Sequence, residues 1–157
     1  MSNDILIINE NNLIAKHKSE HEKYEYIKFE VTPRKDFNQC YIAIYEIPPL
    51  KSNYPYHYHM ANTEAFYIIS GCGELETPNG KKSIKAGDFI VCPPKENGAH
   101  KLKNTSENEP LKYIDFDTIN SPDIVHYPNS DKTGIIVHNQ SSTFFRNNEA
   151  VDYYDGE

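Results

Sequence analysis

Two histidines and a glutamate stand close together in the stretch YPYHYHMANTEAFYIISG. His57 and His59 are separated by one residue, so on a strand their side chains project from the same face. Two imidazoles on one face can share a metal ion, with further ligands supplied from elsewhere in the chain. The alternatives for such a pair are core packing or a chance occurrence on the surface. Whether the pair indicates a metal site therefore depends on the glutamate, Glu64.

Glu64 begins the segment EAFYIIS, in which it alternates with Phe66 and Ile68. Alternation places its carboxylate on the same side as two apolar residues, which is an inward face. A buried carboxylate is costly unless it is paired or bound to a metal. The alternative is that Glu64, at the terminus of the strand, reaches solvent.

A third histidine lies on an apolar face further along the chain. In the segment GDFIVCPPKENGAHKLKN, His100 alternates with Leu102 and Asn104, while the intervening lysines face the other way. We therefore predict that His57, His59, Glu64 and His100 hold a metal. The residues expected to line the cavity beside it, by the same parity, are Phe66, Ile68 and Leu102.

The elements around these residues have the character of short strands. Many short strands between Gly, Pro and Asn turns predict an all-β barrel or sandwich. Residues 11–23 are the one candidate for a helix, and residues 119–132 are interpreted as a turn-rich outer segment. The predicted strands cover 22–32, 39–48, 54–60, 64–70, 72–77, 81–85, 88–92, 99–105, 111–118 and 133–138.

Composition and charge limit the classes of function that this chain can have. The 157 residues favour one domain, and a net charge of −7 without a basic stripe argues against nucleic acid. No apolar run is long enough to span a bilayer, and the N-terminus does not resemble a secretory signal, so we expect a cytoplasmic protein. Three cysteines without CxxC spacing fit ordinary thiols in a reducing compartment.

Two motifs resemble those of the cupins. In the first, His57, His59, Glu64 and Gly71 match G(X)5HXH(X)3-4E(X)6G, except that Lys51 replaces the leading glycine. The second family motif is G(X)5PXG(X)2H(X)3N. It is matched here by Gly87, Pro93, His100 and Asn104, with a loop between proline and histidine that is two residues longer.

The resemblance implies a single-domain jelly-roll barrel over residues 1–157, with its core motifs in 54–104. Strands in 22–48 and a wrapping segment in 119–157 would complete it. It also implies one divalent transition metal, held by the same three histidines and glutamate, and it makes a homodimer plausible. Such a donor set suits Mn, Fe, Ni, Co, Cu or Zn.

Three functions fit these expectations. The first is an isomerase or lyase acting on a small oxygenated molecule such as a sugar derivative or keto acid, and some cupins carry a sugar-phosphate isomerase-like label. The second is a non-catalytic binding or sensing protein, and the third is a dioxygenase. A structural domain in which the metal only stabilises the barrel is a further alternative. No general acid or base is identifiable from the sequence. The remaining histidines, which are not assigned to the site, are His17, His21, His126 and His138.

Overall fold

A computed structural model describes residues 5–32 and 39–157. The predicted all-β class is confirmed, since helical structure in the described residues is confined to short 3-10 turns at Glu10–Asn12, Glu96–Gly98, Pro128–Ser130 and Asn147–Glu149. The strands are β1 Ala15–His21, β2 Tyr24–Glu30, β3 Cys40–Ile47, β4 Tyr58–His59, β5 Glu64–Ser70, β6 Cys72–Thr77, β7 Gly80–Lys85, β8 Phe89–Cys92, β9 Lys101–Asn104, β10 Leu111–Thr118, β11 Asp123–Tyr127, β12 Lys132–Ile136 and β13 Thr143–Arg146.

The strands form three antiparallel sheets. A six-stranded sheet has the order β1-β2-β3-β10-β5-β8, a four-stranded sheet the order β13-β12-β11-β4, and a three-stranded sheet the order β7-β6-β9. Strands distant in sequence become neighbours, as where β10 inserts between β3 and β5. Such returns are typical of jelly-roll connections.

The core lies on the inner face of the six-stranded sheet. Strict alternation in β5 and β10 buries Phe66, Ile68 and Tyr113 while their chain neighbours face outward. The rings of Tyr45 and Tyr113 stack at 5.3 Å, and Phe66 meets Tyr113 edge-on at 5.4 Å. Burying each such side chain contributes roughly 1.5–3 kcal/mol. The same alternation turns Asp115 inward, which brings a carboxylate to the edge of this core.

The helix considered for residues 11–23 is wrong. Most of this segment forms β1, whose residues are all exposed and which pairs with β2. Across the strands, Lys16 forms an ion pair with Glu30, and Nε2 of His17 contacts the carboxylate of Glu25 at 2.9 Å. The Ala, Lys and Glu of the segment favour a helix weakly, but they offer no apolar stripe, so pairing with the edge of the sheet prevails.

The interpretation of residues 119–132 as turns is also wrong in part, because β11 runs through Asp123–Tyr127 and pairs with both β12 and β4. The predicted strand over 54–60 is reduced to the two residues of β4, although a further bridge forms at His57. Within 5–32 and 39–157, no helix has the length and apolar character that crossing a membrane requires.

Candidate metal centre

Backbone pairing between two distant segments brings the predicted ligands together. The N–H of His57 donates to the carbonyl of His100 at 3.1 Å, and the N–H of His100 donates to the carbonyl of His57 at 2.9 Å. His59 lies in β4, which pairs with β11, and Glu64 is the first residue of β5. The four side chains consequently meet in one place.

The three histidines converge on one carboxylate oxygen. The distances from Glu64 Oε2 to the Nε2 atoms are 3.7 Å for His57, 3.5 Å for His59 and 2.9 Å for His100. Despite the last distance, Glu64 Oε2 and His100 Nε2 have no hydrogen-bond partner among the described residues. Orphaned buried polar atoms are rare in native proteins and call for an explanation, such as an ion.

The opposite nitrogen of each ring is occupied. Nδ1 of His57 contacts the carbonyl of Pro55 at 2.8 Å, and Nδ1 of His100 contacts the carbonyl of Gly98 at 2.8 Å. A carbonyl only accepts, so these Nδ1 atoms carry the protons. A neutral ring with its proton on Nδ1 presents the Nε2 lone pair, which is the form that ligates a metal.

Asp123 plays the same part for His59 and also fixes the backbone around it. Its carboxylate contacts Nδ1 of His59 at 2.5 Å, accepts from the N–H of Ala61 at 3.0 Å and accepts from the side-chain amide of Asn62 at 2.9 Å. Asp123 is 1% exposed. This residue was missed in the sequence, where only its alternation with Val125 indicated an inward position.

The loop that departs from the family motif is what carries His100. In PPKENGAH, a 3-10 turn spans Glu96–Gly98, and Gly98 supplies the carbonyl that orients the ring. A Cβ on Gly98 would lie 1.7 Å from the carbonyl oxygen of Pro93, so only glycine fits. Lys95 has a φ of 73° and donates its N–H to the carbonyl of His59 at 2.6 Å. The longer loop therefore joins the two ligand segments.

Burial and charge shift the pKa values in this cluster in opposite directions. Burial lowers the pKa of His57. For His59, burial also lowers the pKa, but the neighbouring carboxylates of Asp123 and Glu64 outweigh it and raise the pKa to about 10. Burial would raise the pKa of Glu64, yet the charge of His100 holds it well below its usual range, and Glu64 in turn raises the pKa of His100. The carboxylate is thus ionised, and without a metal His59 and His100 hold protons that a bound cation would displace.

These residues fit a divalent transition metal. The donor atoms of His57, His59 and Glu64 lie within 4.8 Å of one another, and His100 reaches the same carboxylate oxygen. Imidazole and carboxylate donors together suit a first-row ion. The occupied Nδ1 atoms agree with this role, because they direct the three Nε2 atoms at Glu64 Oε2, where a cation would replace the protons of the rings.

A cavity of about 360 Å³ opens beside the cluster. Its wall is mixed, with several carboxylates and amides between apolar side chains, as is usual for a small-molecule site. The lining residues are Tyr54, His57, His59, Asn62, Glu64, Asp115, Asp117, Thr118, Ile119, Asn120, Asp123, Val125, Tyr127, Ile136, Val137, His138, Asn139, Gln140 and Ser142.

Three of these lining residues lie close to the predicted ligands. Carboxylate oxygens of Asp115 and Asp117, on β10, lie within 4.8 Å of Glu64. The ring of Tyr127, on β11, stacks against His57 with centroids 5.8 Å apart. Burial, with a smaller contribution from Glu64, raises the pKa of Tyr127 to about 12, so its phenol stays protonated.

The apolar residues predicted to line the cavity lie elsewhere. Phe66, Ile68 and Leu102 are at most 2% exposed and belong to the packed core, although Phe66 contacts the ring of His100 edge-on at 5.4 Å. Parity gave the correct face, but that face is filled by core side chains along most of its length. His138, which the sequence left unassigned, lines the cavity instead.

Comparison with known proteins agrees with this architecture. The family model for the cupin domain matches residues 43–117. An uncharacterised protein of Aquifex aeolicus is 30% identical over 95 residues, which cover 60% of this chain and 70% of that protein.

Two solved structures resemble the whole fold. One, from Acidithiobacillus ferrooxidans and described provisionally as a sugar phosphate isomerase, has a TM-score of 0.78 at 24% identity, covering 90% of both chains. Another, from Silicibacter pomeroyi and described as a sugar phosphate isomerase of the cupin superfamily, has a TM-score of 0.80 at 14% identity, covering 96% of this chain and 98% of that one. At these identities the likeness establishes the fold.

Proposed function

This chain belongs to the cupin family, and we propose that it is a metal-dependent enzyme of the isomerase or lyase type. Its substrate would be a small oxygenated molecule, such as a sugar derivative or keto acid. The observation that carries the proposal is the convergence of three Nε2 atoms on Glu64 Oε2 beside an open cavity. The proposed ligands of one divalent transition metal are His57, His59, Glu64 and His100.

The ligand side chains are held in place before any ion binds. Pro55, Gly98 and Asp123 occupy the Nδ1 atoms, so each ring is fixed in orientation and its Nε2 is directed at the shared site. Bound there, a divalent metal would polarise a carbonyl or hydroxyl oxygen of the substrate. Rigid support of this kind lowers the cost of reorganisation during a reaction.

The cavity wall supports a hydroxyl-bearing substrate. Tyr127 keeps its proton and is a hydrogen-bond donor, while the carboxylates of Asp115 and Asp117 are acceptors. Asn62 and Asn120 add amides to the same wall, and they are linked by a hydrogen bond of 2.9 Å. Donors and acceptors on one wall suit hydroxyl groups, which both donate and accept. The two similar structures described as sugar phosphate isomerases favour a sugar derivative within this class.

Turnover of a substrate panel tests the proposal. Protein loaded with Fe(II), Mn(II) or Ni(II) is incubated with aldoses, ketoses and oxo acids, with and without dioxygen, and products are followed by mass spectrometry. We expect a metal-dependent rate that is lost in His57→Ala and kept in His126→Ala, since His126 does not line the cavity. Rates no higher than those of His57→Ala for every metal and substrate would refute the proposal that the protein is an enzyme.

We also propose that two copies pair through the outer face of the six-stranded sheet. Apolar side chains form a continuous cross-strand row on this face, and Phe89 at its end is 79% exposed. Contiguous apolar surface on a sheet marks an interaction site. Ile44 in the middle of the row is 8% exposed, so a second copy of this face would mainly cover the exposed end at Phe89. The row consists of Phe29, Ile44, Ile114, Tyr67 and Phe89.

A further inference from the structure

One polar atom in the cavity wall is not explained by the metal ligands. Nδ1 of His138 is buried and has no hydrogen-bond partner among the described residues. Among the described residues, three histidines line the cavity. His57 and His59 are proposed metal ligands, and His138 is the third. A buried nitrogen without a partner costs stability and calls for an explanation, such as a ligand that reaches this part of the wall.

The backbone holds His138 in the wall. Its N–H donates to the hydroxyl of Ser121 at 2.8 Å, which ties the segment after β12 to the chain just before β11. The next residue, Asn139, has a φ of 60°, a left-handed conformation that is uncommon outside glycine. Gln140 donates its N–H to the carbonyl of Val137 at 3.1 Å, which closes a turn around the histidine. The ring is therefore presented by a defined turn.

The other ionisable groups of the wall are less suited to moving a proton. Tyr127 has a pKa near 12 and stays a donor near neutral pH. Asp123 is engaged by His59, Ala61 and Asn62. Asp115 and Asp117 lie against the carboxylate of Glu64. Histidine is the side chain best suited in general to exchange protons near neutral pH.

We propose that His138 is the general acid–base group of this cavity and exchanges a proton with the carbon next to the substrate carbonyl. The proposal rests on the proposed isomerase function and names a residue for its proton transfer. For an α-hydroxy aldehyde, the imidazole of His138 takes the proton from the hydroxyl-bearing carbon, and the released electron pair forms a carbon–carbon double bond. The former carbonyl carbon then takes that proton back, while the hydroxyl proton passes to the former carbonyl oxygen. Bonds broken equal bonds formed, so no oxidant or reductant is needed.

A binding experiment separates this role from the metal site. Glycolohydroxamate, a planar mimic of the deprotonated enediol, is titrated calorimetrically into Mn(II)-loaded protein, His138→Gln, His126→Gln and His57→Ala. We expect binding that requires metal, is lost in His57→Ala, is unchanged in His126→Gln and weakens about 10-fold in His138→Gln, the effect of losing one good hydrogen bond. Metal-dependent binding of equal strength in His138→Gln would overturn the role of His138 alone. Binding that is absent in the unsubstituted protein, or that is unchanged in His57→Ala, would overturn the proposed function and this role with it.

Proton transfer itself is measured as isotope exchange. Dihydroxyacetone is incubated in D2O with Zn(II)-loaded protein, and deuterium at carbon is counted by mass spectrometry. The exchange rate should fall about 100-fold or more in His138→Gln, at unchanged metal content and melting temperature, and should persist in His126→Gln. An equal rate in His138→Gln, or no exchange above the level of His57→Ala, would overturn the assignment.

Discussion

Replacing Asp123 by asparagine should weaken metal binding without removing a metal ligand. Asp123 accepts from Nδ1 of His59 at 2.5 Å, which keeps the proton on Nδ1 and the lone pair on Nε2. Asparagine has nearly the same volume but presents an amide that can donate at this position. The ring of His59 would then shift its proton to Nε2 and lose its ability to ligate.

The size of the effect follows from the contacts that change. Loss of a carboxylate partner behind a ligating histidine typically lowers metal affinity 10–100-fold, or about 1.4–2.8 kcal/mol. Asp123 also accepts from Ala61 and Asn62, and it is 1% exposed. We therefore expect the free energy of unfolding of the metal-free protein to fall by about 1–3 kcal/mol as well.

Competition with a chelator measures the affinity, and urea unfolding of metal-free protein measures the stability. Asp131→Asn is the matched control, because Asp131 is an exposed aspartate that accepts a 2.8 Å hydrogen bond from Asn147 away from the cavity. An Asp123→Asn variant that folds and binds metal as tightly as the unsubstituted protein would refute the reasoning about the His59 tautomer.

Three further perturbations test the fold and its assembly. Burial opposes ionisation of Glu30, but two lysines of β1 and β2 outweigh it and lower its pKa from 4.5 to about 2. Its contribution is therefore present above pH 4.5 and lost towards pH 2. Glu30→Gln should cost about 1 kcal/mol in urea unfolding at pH 7 and little at pH 2, and equal costs would contradict this. Gly71 has a φ of +84° and a backbone oxygen 2.4 Å from a built Cβ, whereas Gly80, at +97°, has no atom within 4 Å. Gly71→Ala should therefore lower the free energy of unfolding by on the order of 3 kcal/mol, against about 1–2 kcal/mol for Gly80→Ala. Similar losses in the two variants would contradict the clash at Gly71. Phe89→Lys should convert a dimer to a monomer in light scattering, and an unsubstituted protein that is already monomeric would exclude the proposed pairing.

Local periodicity was enough to predict that Glu64 and His100 point inward. Glu64 and His100 lie two residues from buried apolar side chains, and the structure buries both. The alternative that Glu64 reaches solvent is thereby excluded, since it is 6% exposed. A two-residue period carries this information because it depends only on chain geometry within one strand.

Residues contributed by pairing between distant segments could not be found in this way. Asp123 reaches His59 only because β11 pairs with β4, and Tyr127 and His138 enter the wall through the same sheet. The segment that holds Asp123 and Tyr127 carries turn residues, which led to the turn interpretation of 119–132, whereas His138 ends the predicted strand 133–138. Parity also could not separate core from cavity, since Phe66 and Glu64 share a face but only Glu64 reaches the open space. The assignment of residues 1–157 to one domain stays a prediction.

The central claim is that one transition metal binds at His57, His59, Glu64 and His100. The most direct measurement is the metal-to-protein ratio by plasma mass spectrometry, after loading with a divalent first-row ion and removal of unbound metal. We expect about one ion per chain in the unsubstituted protein and in His126→Ala, and a ratio near zero in His57→Ala and His100→Ala. A ratio near one that persists in both ligand variants, or a ratio near zero in the unsubstituted protein, would contradict the account.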